Sequence, residues 1–451
     1  MFVTPRWLRL ALAAVATSLV AACGGSGNST PSIAEVTAND ARFTTLNLAL
    51  VNTGLNTTFQ GAGPFTVFAP TDAAFAALAA ELGLSRAALL ANRPLLESVL
   101  RYHVLSTRVD SGAVPLGRAI TPLAGGFFKV ENAGGALTVT DGRNRTSRIT
   151  ATDINTRNGV IHVLDRVLLP ADKTIVQTAQ GLPQFSILVE AVVAAGLVDA
   201  LSATGPFTVF APTNEAFAAL LAELGVTKDE LLADTALLTR VLTYHVVPAR
   251  VLRADVPVGA PVTTLQGGTL TVDASLAITD ARGRSANIVA TDVFASNGVI
   301  HVVDRVILPL PAENIVQTAQ ALPQFSILVE AVVAAGLVDA LSAPGPLTVF
   351  APTNDAFAAL LAELGVTKEA LLADTALLTE VLTYHVLSGR VLRAEVPVGS
   401  DITTLQGDSF TVDASLVITD QRARTASIVA TDVFTSNGVI HVIDRVILPA
   451  P

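Results

Sequence analysis

The 451-residue chain carries 28 basic and 38 acidic residues, a formal net charge of −10. It lacks the basic footprint that a phosphate backbone requires, so nucleic acid is not an expected partner. Cys23 and Met1 are the only residues of their kinds, which excludes disulfides, thiolate metal centres and a cysteine nucleophile from the folded part and leaves its core to aliphatic side chains and phenylalanine.

In chain order, residues 1–23 read as an export signal. Arg6 and Arg9 form a basic start, and Leu10 to Ala22 is an apolar run of 13 residues, too short to span a bilayer. The run closes on Val20-Ala21-Ala22-Cys23, which resembles a bacterial lipoprotein signal; the resemblance implies a lipid on the Cys23 thiol. Two or three acyl chains give stable attachment where one would be marginal. Gly24 is not the aspartate that often retains such proteins on an inner membrane. The expected location is therefore exported and lipid-anchored, on the outer membrane or cell surface, facing periplasm or exterior. Residues 24–32 read as a flexible tether. No later stretch reaches 18 uninterrupted apolar residues, so no spanning helix is expected.

Three phrases then recur at intervals of about 140 residues, within the usual size of a self-sufficient domain. Asn-Gly-Val-Ile-His-Val stands at Asn158, Asn297 and Asn437; Phe-Ala-Pro-Thr at Phe68, Phe210 and Phe350; Tyr-His at Tyr102, Tyr244 and Tyr384. The chain reads as three tandem modules, 33–172, 173–312 and 313–451. Their balances of basic to acidic residues are 12 to 11, 8 to 12 and 6 to 15, net +1, −4 and −9. A charge that grows more negative with distance from an anchor would hold the outer module off an anionic surface. The short linkers Pro170-Ala171-Asp172 and Pro309-Leu310-Pro311 predict a semi-rigid array.

Module 2 shows the pattern most fully. The spacing predicts a helix over Gln184–Leu201, a break at Gly205-Pro206 and a short buried strand over Phe207–Ala211. Thr213 or Asn214 caps a helix bearing Phe217, Leu220, Leu221 and Leu224, ended by Gly225. Thr227 and Glu230 form a capping box, and Asp234 caps a helix bearing Leu237, Leu238, Val241 and Leu242. After Tyr244-His245 the period becomes two. Strands are predicted at Thr269–Asp273, Leu276–Thr279, Asn287–Asp292 and Val299–Leu308, with Asn297-Gly298 as a tight hairpin turn and His301 on a half-buried face. The class is α+β, a helical first half packed on a β-rich second half.

Those three phrases, in the same order in every copy, resemble the fasciclin domain family across nearly all of residues 33–450. The resemblance implies a β-wedge packed with helices and an adhesive role at a cell surface. In adhesive animal members an Asp-Ile dipeptide precedes the Asn-Gly turn; here those positions hold Asp153-Ile154, Asp292-Val293 and Asp432-Val433, which the resemblance makes candidate recognition loops. The bland reading is that Asp caps the turn. The Tyr-His pairs, Tyr102-His103, Tyr244-His245 and Tyr384-His385, are implicated in adhesion in animal members. As residue types they read as mostly structural, buried polar groups satisfied by backbone. Two histidines per module are fewer than the three or four ligands of a metal site, so neither metal nor cofactor is expected. Gly-x-Ser-x-Gly, His-Glu-x-x-His and phosphate-cradling loops are missing, and no enzymatic activity is expected. The expected function is multivalent adhesion to matrix protein, glycan or a neighbouring cell. The alternatives are binding of a small apolar, lipid-like ligand in the wedge, or a passive envelope spacer.

Overall fold

The computed structural model describes residues 30–451; the export signal, Cys23 and most of the tether lie outside them. The tether reading does not extend to its last residues. Ser32 is buried, caps the first helix and exchanges hydrogen bonds with Glu35, while the Pro31 carbonyl accepts from Arg157 N.

The chain forms two compact units. Of the described residues, one unit comprises 30–141 with Arg145–Pro170; the other comprises Gly142–Asn144 with Ala171–Pro451 and holds two modules. Module 1 begins with helices α1 (Ile33–Asn39), α2 (Thr44–Thr53) and α3 (Leu55–Thr58). Strand β1 (Phe65–Pro70) follows, then α4 (Asp72–Glu81), α5 (Arg86–Ala91) and α6 (Arg93–Tyr102). The remaining strands are β2 (Val104–Leu105), β3 (Ala119–Ile120), β4 (Phe128–Ala133), β5 (Ala136–Thr140), β6 (Thr146–Thr156) and β7 (Gly159–Leu164). They lie in the order β2-β1-β7-β6-β5-β4-β3. Thus β1, from the helical half, enters the sheet beside the last strand, parallel to it from Phe65–Gly159 to Pro70–Leu164.

Because β1 and β7 are central, both of their faces are covered. Val67, Ala69, Ile161 and Val163 join the core beneath the helices; Phe68 and Leu164 join a second core inside the wedge with Tyr102, Phe128, Val130 and Val139. Strand alternation thus divides one module between two cores. Strand β6 pairs with β7 at one end and β5 at the other. Its register shifts around Ala151 let it bend between the two halves of the wedge.

Modules 2 and 3 repeat this sheet and both cores. The cap readings for Thr213, Gly225, Thr227 with Glu230, and Asp234 match the structure. Four expectations change. The helix over 184–201 is broken: Ser186–Ala194 ends where Gly196 adopts φ +66, and a second helix runs over Val198–Ser202. Leu197 N donates to Val192 O across the break, the closure that a left-handed glycine permits. The last strand stops at Val303, because Ile307 N and Leu308 N find side-chain acceptors, His245 Nε2 and Asp280 Oδ2, in place of a ladder. Short strands at Val246–Val247 and Pro261–Thr263 carry no period-two signal. His301 is fully buried, not half-buried, since its strand lies inside the sheet.

Candidate recognition surface

The repeated polar residues have backbone partners. His103, His245 and His385 close helix C-termini. Each Nδ1 lies 2.7–2.8 Å from the carbonyl four residues back, at Val99, Val241 and Val381. Each Nε2 accepts from Leu168 N, Ile307 N or Ile447 N. A ring that accepts at Nε2 carries its one proton on Nδ1, so it is neutral. Burial pushes its pKa down from 6.5 to about 4. The adjacent tyrosines tie α6 and its counterparts to the wedge: Tyr102 donates to Phe127 O, Tyr244 to Thr269 O and Tyr384 to Ser409 O.

The second histidine set, His162, His301 and His441, accepts at Nδ1 from the backbone N–H of Asp153, Asp292 and Asp432. Its Nε2 faces the carbonyls of Val109, Val251 and Val391 at 2.8–2.9 Å. With both nitrogens engaged, neither set offers a metal a lone pair.

Asp153, Asp292 and Asp432 lie on the bulge of the long strand with φ of 58°, 61° and 59°, a left-handed geometry that aspartate tolerates better than most residues. Their Oδ1 atoms accept from Ser111 N, Arg253 N and Arg393 N at 2.8–2.9 Å. Hydrogen bonds from the Ser111 hydroxyl and amide hold the Asp153 carboxyl below the usual carboxylate range. The three bulges differ in exposure. Asp292 is buried, whereas Asp153 and Asp432 are half-buried; Ile154, Val293 and Val433 are half-buried in every copy. Only in module 1 is the next residue but one polar and exposed, Asn155 where the others have Phe294 and Phe434. There Arg108 binds Asp110, Asn155 and the Gly159 carbonyl, making a charged cluster beside Asp153. The Asp pairs and the Tyr-His pairs thus have different partners and separate tasks.

The tight hairpin turns fall one residue earlier than expected, with Arg157-Asn158, Ser296-Asn297 and Ser436-Asn437 as the two-residue loops between paired strands, and none of Asn158, Asn297 and Asn437 has a positive φ. Each is a buried clamp. Asn297 Oδ1 accepts from Ile175 N, and its Nδ2 donates to Leu201 O and Ala203 O at 2.8 Å. The following glycine serves close packing: a Cβ on Gly298 would lie 2.0 Å from Phe207 O. Sequence reasoning also missed Asp280, whose carboxylate accepts from Arg282 N, Arg284 N and Leu308 N. An Asp-x-Arg-x-Arg phrase at Asp141, Asp280 and Asp420 was its available signal.

In the core beneath the helices of module 3, the apolar pocket lined by Ile315, Leu328, Val349 and His385 has a volume of 30 Å³, room for one water. A pocket of 140 Å³ between the helices of module 3, lined by Phe357, Leu371, Leu378 and Arg422, is also small beside the several hundred Å³ of ordinary ligand sites.

Fold and side-chain placement define a tandem array of α+β wedge modules, each a helical layer on a seven-stranded sheet. The fasciclin domain model matches residues 41–170, 183–309 and 323–449, and the chain belongs to that family. It is 29% identical to human periostin over 399 residues, 86% of this chain and 44% of periostin. It is 30% identical to transforming growth factor-beta-induced protein ig-h3 of Sus scrofa over 426 residues, 93% of this chain and 58% of that protein. The chain thus spans about half the length of these relatives. Among solved structures, a domain pair from the insect cell adhesion molecule fasciclin I aligns at 18% identity with a TM-score of 0.31, covering 60% of this chain and 98% of that one.

Proposed function

We propose that this protein is a lipid-anchored surface adhesin that holds matrix protein, glycan or a neighbouring cell through several weak contacts made by its modules. Support comes from family membership and from the lipoprotein-like signal ending at Cys23. The observation that carries the reading is the commitment of the repeated His, Tyr and Asn side chains to backbone hydrogen bonds, which leaves the variable rims to do the recognising. Three modules on one anchor gain affinity through effective concentration. The rim of module 1, with Asp153, Ile154, Asn155 and Arg108, is our first candidate contact. Tandem architecture and the small apolar pockets weigh against the apolar-ligand alternative.

The test is attachment of cells lacking the protein to plastic, matrix proteins and sister cells. Restoration by the anchored chain and competition by soluble Ser29–Pro451 are expected. Asp153→Asn keeps an acceptor for Ser111 N but removes the charge and the oxygen that accepts from the Ser111 hydroxyl, so it should weaken attachment with only a small loss of Tm. Unchanged attachment on every surface would overturn the adhesin; loss of attachment that Asp153→Asn does not affect would move the contact elsewhere.

A further inference from the structure

In the second unit, the turn that closes the Asp280 hairpin of module 2 rests on the bulge face of module 3. Arg390 Nη1 donates to the Ala281 carbonyl at 2.8 Å. The Arg282 guanidinium lies 5.9 Å from the centre of the Phe434 ring, within cation–π range. A Cβ on Gly283 would approach Leu392 Cδ1 to 3.2 Å. Arg390, Leu392 and Phe434 therefore form a socket, and residues 281–283 a plug shaped by the buried Asp280 carboxylate.

The same chain holds the two halves of this contact in other states. In module 3 the equivalent turn, Gln421, Arg422 and Ala423, is shaped in the same way by Asp420 and is exposed, with Arg422 donating from Nε to Pro449 O as Arg282 does to Pro309 O. In module 1 the socket positions read Arg108, Asp110 and Asn155. The arginine is retained, but leucine and phenylalanine are replaced by a carboxylate and an amide that bind it. An exposed plug and an open socket on one chain would make a heterologous contact that need not close, the geometry that builds fibres. Repeat arrays block such growth with polar faces on their outer repeats.

We propose that the Arg390–Leu392–Phe434 face is a dedicated socket for the turn of another module of its kind, and that Asp110 and Asn155 keep the socket of module 1 shut to the exposed Arg422 turn of a second copy. The test is made on the full chain. Asp110→Leu with Asn155→Phe recreates the module 3 trio. Sedimentation should then show mass rising with concentration to two copies and beyond, while the unaltered chain stays at one. Adding Arg422→Glu should return the mass to one copy, because the plug would lose its stacking cation. A folded double variant that stays monomeric overturns the proposal. So does association that survives Arg422→Glu, or equal association of the unaltered chain. A second arm does not depend on module 1 folding. Leu392→Asp with Phe434→Asn should uncover the turn of module 2, read as faster modification of the Arg282 guanidinium by an arginine-selective dicarbonyl reagent; unchanged modification there would overturn the socket itself.

Discussion

His103, His245 and His385 each donate at Nδ1 and accept at Nε2, an arrangement only the neutral ring allows. Folding therefore competes with protonation. The unfolded ring takes up its proton near pH 6.5, the folded one only near pH 4. Between those values the unfolded state binds more protons, so stability is intact above pH 6.5 and falls as the pH drops towards 4. A shift of this size corresponds to roughly 3 kcal/mol per histidine when fully expressed. Urea unfolding at pH 7.5, 5.5 and 4.5 should show this loss. His385→Phe should lower the stability of module 3 at pH 7.5 by about 2–4 kcal/mol, because Val381 O and Ile447 N lose their partner. It should also make the acid limb of that module shallower. An acid limb of undiminished slope in the variant would assign the titration to other groups.

At the scale of elements, Asn297 joins three pieces that are distant in sequence. It ties the start of the helix Ile175–Gln180 and the end of the helix Val198–Ser202 to the hairpin before the last strand. Asn297→Ala leaves the Ile175 N–H and the Leu201 carbonyl buried without partners, and should cost module 2 about 3 kcal/mol. Thermal unfolding of the variant checks this, and a Tm equal to that of the unaltered chain would show that water replaces the clamp. This residue also marks where sequence and structure part. Caps, helix stripes and most of the wedge strands were legible, because they follow local periodicity and local hydrogen bonding: Thr213, Gly225, Asp234 and the strand Phe207–Pro212 are examples. Asn-Gly is a local turn signal too, but here both residues answer to distant partners, Ile175 N across 122 residues and the Phe207 carbonyl across the sheet. The end of the last strand was missed for the same reason: His245 and Asp280 are sequence-distant acceptors. At the recognition loops, the dipeptides were visible, but their exposure was not. It depends on neighbours such as Ser111, Arg108 and Asn155 in module 1, and on none of the loop's own letters.

At the scale of the whole molecule, each module owns two hydrophobic cores, and no described residue belongs to the cores of two modules. The hydrophobic term that dominates folding is therefore divided three ways. A lesion in module 1 should stay there. Gly159→Ala supplies one: its Cβ would stand 2.0 Å from Phe65 O, so β1 and β7 cannot keep their register. Overpacking of backbone on backbone has no side chain to yield, and the expected loss, above about 4 kcal/mol, takes most of the stability of a module at the low end of the about 5–15 kcal/mol range and unfolds it on mild heating. Calorimetry of the full chain should lose the transition of module 1 from its original temperature and keep those of residues 171–451 at theirs. Disappearance of all transitions together would mean that the chain folds as one cooperative unit. The distinction bears on adhesion. Modules that fail singly leave the remaining contacts in place, so attachment of cells carrying Gly159→Ala should weaken by the avidity contributed by one site while the others persist.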